Sequence, residues 1–293
     1  SKQVNLFISG TGNVGAKLLQ QLQQQAEFLQ KQLRMQLKVT GLCNSRRMLI
    51  DEEGIDLSKW REMLDNGQPA LLQRFVDEIV SRNLRNAVFV DVTANADVAG
   101  IYPQLLEKSI SVAACNKAAA SSAYNNYKKL KDLAREYNSH FLFETNVGAG
   151  LPVIATLNDL VHSGDRIHKI QAVLSGTLNF VFNNYDGNQK FAEVVKQAQK
   201  EGYTEPDPRL DLSGTDVVRK ILILAREAGF RMEMDQVVNH SFMPDKCMQG
   251  SVDDFYRSML EEEDHFKRLL QEANEAGCKL KFVASLENGE ASV

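Results

Sequence analysis

Apolar positions in the first half of the chain fall into short runs separated by longer amphipathic stretches. Residues 4–9 (Val-Asn-Leu-Phe-Ile-Ser) form a β-prone run that ends at a glycine. Residues 14–35, rich in Leu and Gln, carry apolar positions at helical spacing and predict a long amphipathic helix. The runs 37–42, 87–92, 110–114 and 141–143 predict further strands. Residues 57–64, 70–80 and 123–137 predict helices, with Asn66-Gly67 as a turn between the first two. Strands separated by helices require right-handed crossovers, so the expectation is a doubly wound α/β domain over 1–145, its sheet parallel and covered on both faces.

After Gly148 the pattern changes. Residues 152–161 predict a helix with Pro152 in its first turn. A strand follows at 167–174, then helices at 178–183, 190–200, 215–228 and 261–276. Fewer strands and more helix predict an α+β domain over 146–293. Residues 282–291 begin as a strand and reach an Asn-Gly turn just before Val293.

Composition narrows the class. Of the 293 residues, 43% are hydrophobic and 25% charged, which excludes collagen-like, low-complexity and wholly disordered chains. The net charge of −4 gives no footprint for nucleic acid. No apolar run reaches the roughly 18 residues of a membrane span, so no membrane partner is expected. Cys43, Cys115, Cys247 and Cys278 are widely spaced and read as reduced thiols of a cytoplasmic protein.

The first chemical motif follows the first strand. Gly10-Thr11-Gly12-Asn13-Val14-Gly15 fits G-x-G-x-x-G and opens the long helix, the setting of a Rossmann-type dinucleotide site. The first glycine allows a tight turn, the second lets the backbone approach a pyrophosphate, and the third lets helix and strand pack closely. The second strand ends in Asn44-Ser45-Arg46-Arg47, with no acid for the ribose hydroxyls. An arginine there matches a 2′-phosphate, so NADP is favoured over NAD. The bland alternative is that both arginines solvate a loop and either cofactor is accepted. Thr93 ends another strand at the carboxyl edge, as a nicotinamide contact or a helix cap. Lys117 lies at the same edge, a weak signal by itself. Glu144 and the turn 145–152 read as a hinge, or as oxygen donors for a monovalent cation.

The densest segment is Gly202-Tyr203-Thr204-Glu205-Pro206-Asp207-Pro208-Arg209-Leu210-Asp211, running through Gly214 into a helix with Asp216 and Lys220. Asp216 and Lys220 are i, i+4 and share one face. The apolar run 221–225 predicts that this helix is buried, where charges need partners.

These segments together resemble homoserine dehydrogenase. The run Gly202 to Lys220 is similar to that family's signature, and Asn116-Lys117, the 146–152 turn and Ser175-Gly176-Thr177-Leu178-Asn179 match further blocks in the same order. The dehydrogenase half of bifunctional aspartokinase–homoserine dehydrogenases is the nearest likeness. The resemblance implies NAD(P)-dependent interconversion of L-homoserine and L-aspartate 4-semialdehyde, on the way to threonine and methionine. It gives Lys220 the proton transfer and Lys117 the place of a second active-site lysine. Glu205 and Asp216 hold substrate, with Asp211 beside them and Tyr203, Gly176 and Thr177 lining the pocket. Glu144 and the carbonyls of Val147, Ala149 and Leu151 match a Na⁺ or K⁺ site. A homodimer, fusion to an aspartokinase, and a return segment to the nucleotide domain beyond residue 293 are also implied. The competing readings are a nucleotide-binding fragment or regulatory module without turnover, and an aspartate-semialdehyde dehydrogenase with Cys115 as nucleophile.

Overall fold

The computed structural model describes residues 2–293, which divide into two compact units, the first ending at Pro152 and the second running from Val153 to Val293. In chain order the first contains β1 (Lys2–Ser9), α1 (Asn13–Leu33), β2 (Met35–Cys43), β3 (Arg47–Ile50), α2 (Trp60–Asp65), β4 (Gln68–Pro69) and α3 (Leu72–Arg82). It continues with β5 (Ala87–Asp91), α4 (Ala96–Ala99), α5 (Tyr102–Leu106), β6 (Ser111–Ala114), α6 (Tyr124–Glu136), β7 (Phe141–Leu142) and α7 (Thr145–Gly148).

Its seven strands lie in the order β4-β3-β2-β1-β5-β6-β7. Strands β2, β1, β5, β6 and β7 run parallel, with β1 central between β2 and β5. The expected all-parallel sheet is corrected at one end, where β3 and β4 pair antiparallel. The cause is local: Asn44 Oδ1 accepts from the amides of Arg46 (2.8 Å) and Arg47 (2.7 Å), and this turn sends the chain straight back along β2.

The pleat of β1 sends Leu6 and Ile8 to one face, where they join Leu19 of α1 with Val39 and Leu42. Phe7 points to the other face and begins a ladder of rings, edge-to-face through Phe75 and Phe89 to Tyr102 and tilted onto Phe141, with centroids 5.8–6.5 Å apart. Both faces are covered at β1, and the cover is looser toward β6 and β7. There Val90, Val92, Ala113 and Leu142 line an apolar groove of about 610 Å³. Only the first turns of α1 are buried, at Gly15 and Leu19; Phe28 and Leu33 near its end are exposed.

The second unit holds α8 (Val153–His162), β8 (Lys169–Ala172), α9 (Gly176–Asn184), α10 (Phe191–Lys200), α11 (Arg209–Leu212), α12 (Thr215–Glu227), α13 (Val252–Glu261), α14 (Glu263–Glu275), β9 (Ala284–Glu287) and β10 (Glu290–Ser292). Its three strands form an antiparallel sheet in the order β10-β9-β8. Asn288 and Gly289, with φ of +53° and +78°, make the β9–β10 hairpin turn. The predicted burial of α12 is observed: Val217, Val218 and the whole run Ile221–Ala225 are buried. The helix α13 had no counterpart in the sequence reading. Its Ser251–Asp254 capping box is nevertheless a sequence-level start signal. Among the described residues, no helix is long and apolar enough to cross a membrane.

Candidate active site

The glycine turn between β1 and α1 has the geometry its spacing implies. Gly10 sits at φ +110°, and a Cβ there would lie 2.9 Å from the Val92 carbonyl oxygen. A Cβ on Gly15 would lie 2.1 Å from the Gly10 oxygen. At Gly12 a Cβ would meet nothing within 4 Å, so this backbone faces open space. Gly12 caps α1 without a side-chain hydrogen bond, and no acid occupies the first turn. The first amides of the helix are therefore available to an anion. These features fit a dinucleotide pyrophosphate.

Beside this turn lies a cleft of about 1040 Å³ lined by Gly10, Thr11, Gly12, Asn44, Ser45, Arg46, Arg47, Thr93 and Asn95, among others. The glycine turn, the end of β2 and Thr93 are thus brought to one crevice, at the point where strand order reverses around β1. Asn13 and Val14 sit on the other side of the turn and line the apolar groove instead. Arg47 spends one guanidinium nitrogen on the Gly67 carbonyl, 3.3 Å away, whereas Ser45 and Arg46 are exposed at the cleft.

Thr93 is not the cap of the helix that follows it. Asn95 caps α4, accepting from the Asp97 amide at 2.8 Å, while Thr93 donates its hydroxyl and amide to Asp91 Oδ1 at 2.8 and 2.9 Å. Lys117 follows β6 in a turn whose Asn116 side chain donates to Asp91 Oδ2 (3.0 Å) and to the Asn95 carbonyl (2.9 Å). Asp91 is fully buried and Asn116 nearly so. The sequence reading passed over both as functional residues. The available signal was a carboxylate closing an otherwise apolar strand, Ala87-Val-Phe-Val-Asp91. Burial, and then the nearby Asp91 carboxylate, push the Cys115 thiol and the Tyr102 hydroxyl up from their ordinary pKa values. A raised thiol is a poor nucleophile at neutral pH, which weighs against Cys115 as a catalytic cysteine.

Glu144, half-buried, leads into α7, and the buried Asn146 amide, turned inward, donates to the carbonyls of Ala114 and Cys115 at 3.0 Å each. Ala149 adopts φ +50° and ψ −114°, and Leu151 donates its amide to the Gly148 carbonyl at 2.9 Å. No three His, Cys, Asp or Glu side chains group as a metal site among the described residues. A cation in this turn would therefore rest on Glu144 and on backbone carbonyls.

In the second unit the predicted residues converge on one turn, 174–177. Lys220 on α12 donates to the Leu174 carbonyl at 2.7 Å and pairs with Asp216 at 3.2 Å. Three residues on, the Thr177 hydroxyl donates to the Tyr203 carbonyl and lies 3.2 Å from Asp211 Oδ1. Asp211 Oδ2 accepts the Glu205 amide at 2.9 Å. Burial, and to a lesser degree the Glu205 charge, raise the Asp211 carboxyl above its ordinary pKa. The Tyr203 ring packs on Phe180 at 4.8 Å and remains 53% exposed, free to form a wall. No Cβ neighbour lies within 4 Å at Gly176, so the helix start there is also open. Gly214 needs its φ of +78°, and a Cβ there would strike the Phe282 ring at 2.7 Å.

The acidic loop is held from outside by Arg209. Its guanidinium grips Asp207 at 2.6–3.0 Å and reaches the Gly250 carbonyl at 2.6 Å. Gln199 adds a bond to the Pro206 carbonyl at 3.1 Å. Neither residue was singled out from sequence, because each acts on backbone or on a neighbour rather than on a ligand.

Comparison with known proteins bears on both units. Residues 10–144 match the family model described as the NAD binding domain of homoserine dehydrogenase, and residues 152–293 match the homoserine dehydrogenase model. The chain belongs to the homoserine dehydrogenase family. It is 39% identical over 284 residues to the chloroplastic bifunctional aspartokinase/homoserine dehydrogenase 1 of Arabidopsis thaliana, a match covering 96% of this chain and 31% of that protein. It is 38% identical over 294 residues to the bifunctional enzyme of Haemophilus influenzae, covering 100% of this chain and 36% of the relative. The chain thus spans about a third of the length of these curated relatives. A Candida auris protein of unknown function superposes with a TM-score of 0.89 at 31% identity, covering 100% of this chain and 83% of that one. As a homoserine dehydrogenase family member, the chain has its nucleotide-binding motif and its family signature on separate units, each with its own local order.

Proposed function

We propose that this chain is a homoserine dehydrogenase that interconverts L-homoserine and L-aspartate 4-semialdehyde with NADP, NAD being the weaker cofactor. The observation that carries the reading is Lys220. Its ammonium is fixed between the Leu174 carbonyl and Asp216, on a helix whose other face is core. The bound nicotinamide supplies the hydride; the protein orients the reactants and handles one proton. In reduction, an ammonium at Lys220 stabilises the charge that develops on the carbonyl oxygen and delivers the proton. In oxidation, the same amine accepts the hydroxyl proton. Lys117 is assigned as the second lysine of the reaction, the one that meets the substrate carboxylate. Glu205 and Asp216 are acceptors for the substrate ammonium. Asp211, Thr177, Gly176 and Tyr203 shape the pocket around them.

Gly10, Thr11, Gly12, Asn13, Val14 and Gly15 are assigned to the dinucleotide, with Asn44, Ser45 and Arg46 at the adenosine end and Thr93 nearer the nicotinamide. Open backbone at Gly12 and the arginine at the cleft support this. Glu144 with the carbonyls of Val147, Ala149 and Leu151 is assigned to Na⁺ or K⁺, an all-oxygen donor set suited to a hard ion. Self-association through β8, an edge strand of its sheet, is the assigned dimer mode. Fusion to an aspartokinase is supported by the names of the relatives.

The test is an absorbance assay of NADPH oxidation with aspartate semialdehyde, with and without K⁺. Lys220→Ala is expected to remove nearly all turnover and leave NADPH binding within about threefold. Normal turnover in that variant would sink the assignment, and phosphate-dependent reduction of NADP⁺ by the wild type with aspartate semialdehyde would favour an acylating aldehyde dehydrogenase instead.

A further inference from the structure

The first unit contains a buried carboxylate that the reading above does not use. Asp91 closes β5 and is fully inaccessible. Burying a carboxylate is costly unless donors surround it. Here four do: the Thr93 amide (2.9 Å) and hydroxyl (2.8 Å) at Oδ1, and the Tyr102 hydroxyl (2.5 Å) and Asn116 amide (3.0 Å) at Oδ2. No oxygen is left over, so the group is spent on structure, and what it holds is specific. Tyr102 is anchored in the aromatic ladder and makes one wall rigid. The other donors belong to the two turns that leave β5 and β6 at the carboxyl edge of the sheet.

We propose that Asp91 is a positioning residue: acting through Asn116, it fixes the turn that presents Lys117, and with the other oxygen it fixes Thr93. The path to Lys117 is short. The Asn116 amide bridges Asp91 and the Asn95 carbonyl, while its Oδ1 accepts the Ala118 amide at 3.1 Å, which clamps the residues on both sides of Lys117. The Asp91 backbone carbonyl also accepts the Cys115 amide at 2.9 Å, so main chain and side chain hold the same turn. A turn has no ladder of its own to resist displacement. On its far side the Lys117 carbonyl accepts from the Ser121 amide (3.0 Å) and hydroxyl (2.6 Å), so the Asn116 clamp is what ties the near side of the turn to the sheet. Displacements of about 1 Å in a reacting geometry cost about a hundredfold in rate. Only a carboxylate serves here, because an amide would turn one NH₂ toward existing donors. The inference rests on the assignment of Lys117 and Thr93 to the reaction proposed above.

The experiment compares wild type, Asp91→Asn, Asn116→Ala and the double variant. Asp91→Asn is isosteric, and the Tyr102 hydroxyl can turn to accept from the new NH₂, which preserves the fold. At saturating NADPH, each single variant is expected to lose about tenfold or more in kcat. The double variant is expected to be no slower than the slower single, since both substitutions break one path. Losses that multiply in the double variant would overturn the proposal, because independent structural damage adds. Hydrogen exchange supplies a readout apart from turnover. In Asp91→Asn the peptide 115–121 should exchange about tenfold faster, with β1 and β2 unchanged. Unchanged exchange in that peptide overturns the clamp whatever the kinetics show. A wild type that fails to turn over either substrate would refute the dehydrogenase reading instead, and the exchange measurement would still decide the clamp.

Discussion

Two glycines three residues apart make opposite demands, and alanine separates them. At Gly12 the backbone has φ −73° and ψ −157°, ordinary for any residue, and a methyl would enter empty space. Gly12→Ala should therefore leave folding nearly untouched. The methyl would, however, hold a pyrophosphate away from the amides at the start of α1. Losing one charge-assisted hydrogen bond is worth about 1.5–3 kcal/mol. At about 1.4 kcal/mol per factor of ten, NADPH affinity should fall roughly 10- to 100-fold. Gly15→Ala is the reverse case. The added methyl would sit 2.1 Å from the Gly10 oxygen and 2.7 Å from its carbon, overlaps that only a backbone shift can relieve. Overpacking costs about 1–3 kcal/mol and belongs at its upper end against backbone. The helix-propensity gain of alanine over glycine returns up to about 1 kcal/mol. The net is a loss of about 2 kcal/mol, or about 4–8 °C in the melting of a unit this size. Thermal unfolding by circular dichroism and NADPH fluorescence titration measure the two effects on the same samples. If Gly12→Ala binds NADPH as tightly as wild type at unchanged Tm, the open space before Gly12 is not where the pyrophosphate lies. If Gly15→Ala melts with wild type, the close contact between turn and helix has been misjudged.

Other expectations follow from the same geometry. Arg46→Ala should weaken NADPH by about tenfold while NADH changes little, since only the former has a 2′-phosphate for the guanidinium; equal losses in a parallel titration would remove Arg46 from cofactor choice. Asp207 is held below its ordinary carboxyl pKa, first by its side-chain bond to Arg209. A depressed folded pKa gives stability that is present above the unfolded value near 3.8 and is lost as pH falls below it. Arg209→Met should therefore move the acid-unfolding midpoint of the second unit upward, and an unchanged midpoint would mean the pair adds nothing to acid stability. Gly214→Ala combines a left-handed backbone with a 2.7 Å approach to Phe282, so Tm should drop by several degrees; an unshifted melt would show that the Phe282 ring yields freely.

Much of this molecule was legible because its signals are local and periodic. The alternation of strands and helices, the glycine turn and the burial of α12 each follow from spacings within about 20 residues. The signature from Gly202 to Lys220 points to a site without the fold being known. The antiparallel pair β3 and β4 was not legible, being only four and two residues long. Their pairing depends on the Asn44 turn, and Gln68-Pro69 carries no strand signal of its own.

What the sequence determined alone was residue chemistry and order: which side chains can bind phosphate, hold an ammonium or move a proton, and that they occur in the homoserine dehydrogenase arrangement. Tertiary structure decided what those side chains spend themselves on. Lys220 is aimed by the Leu174 carbonyl, 46 residues away, and a main-chain oxygen has no signature in a sequence. Asp211 reads as one more acid in an acidic run, yet its oxygens go to Thr177 and the Glu205 amide. Asp91 looks like the end of a strand, and only the burial of its carboxylate beneath four donors from three separate segments makes it a clamp. Contacts of that kind form only when distant segments close on each other, so the loops they fix are invisible until the chain is folded.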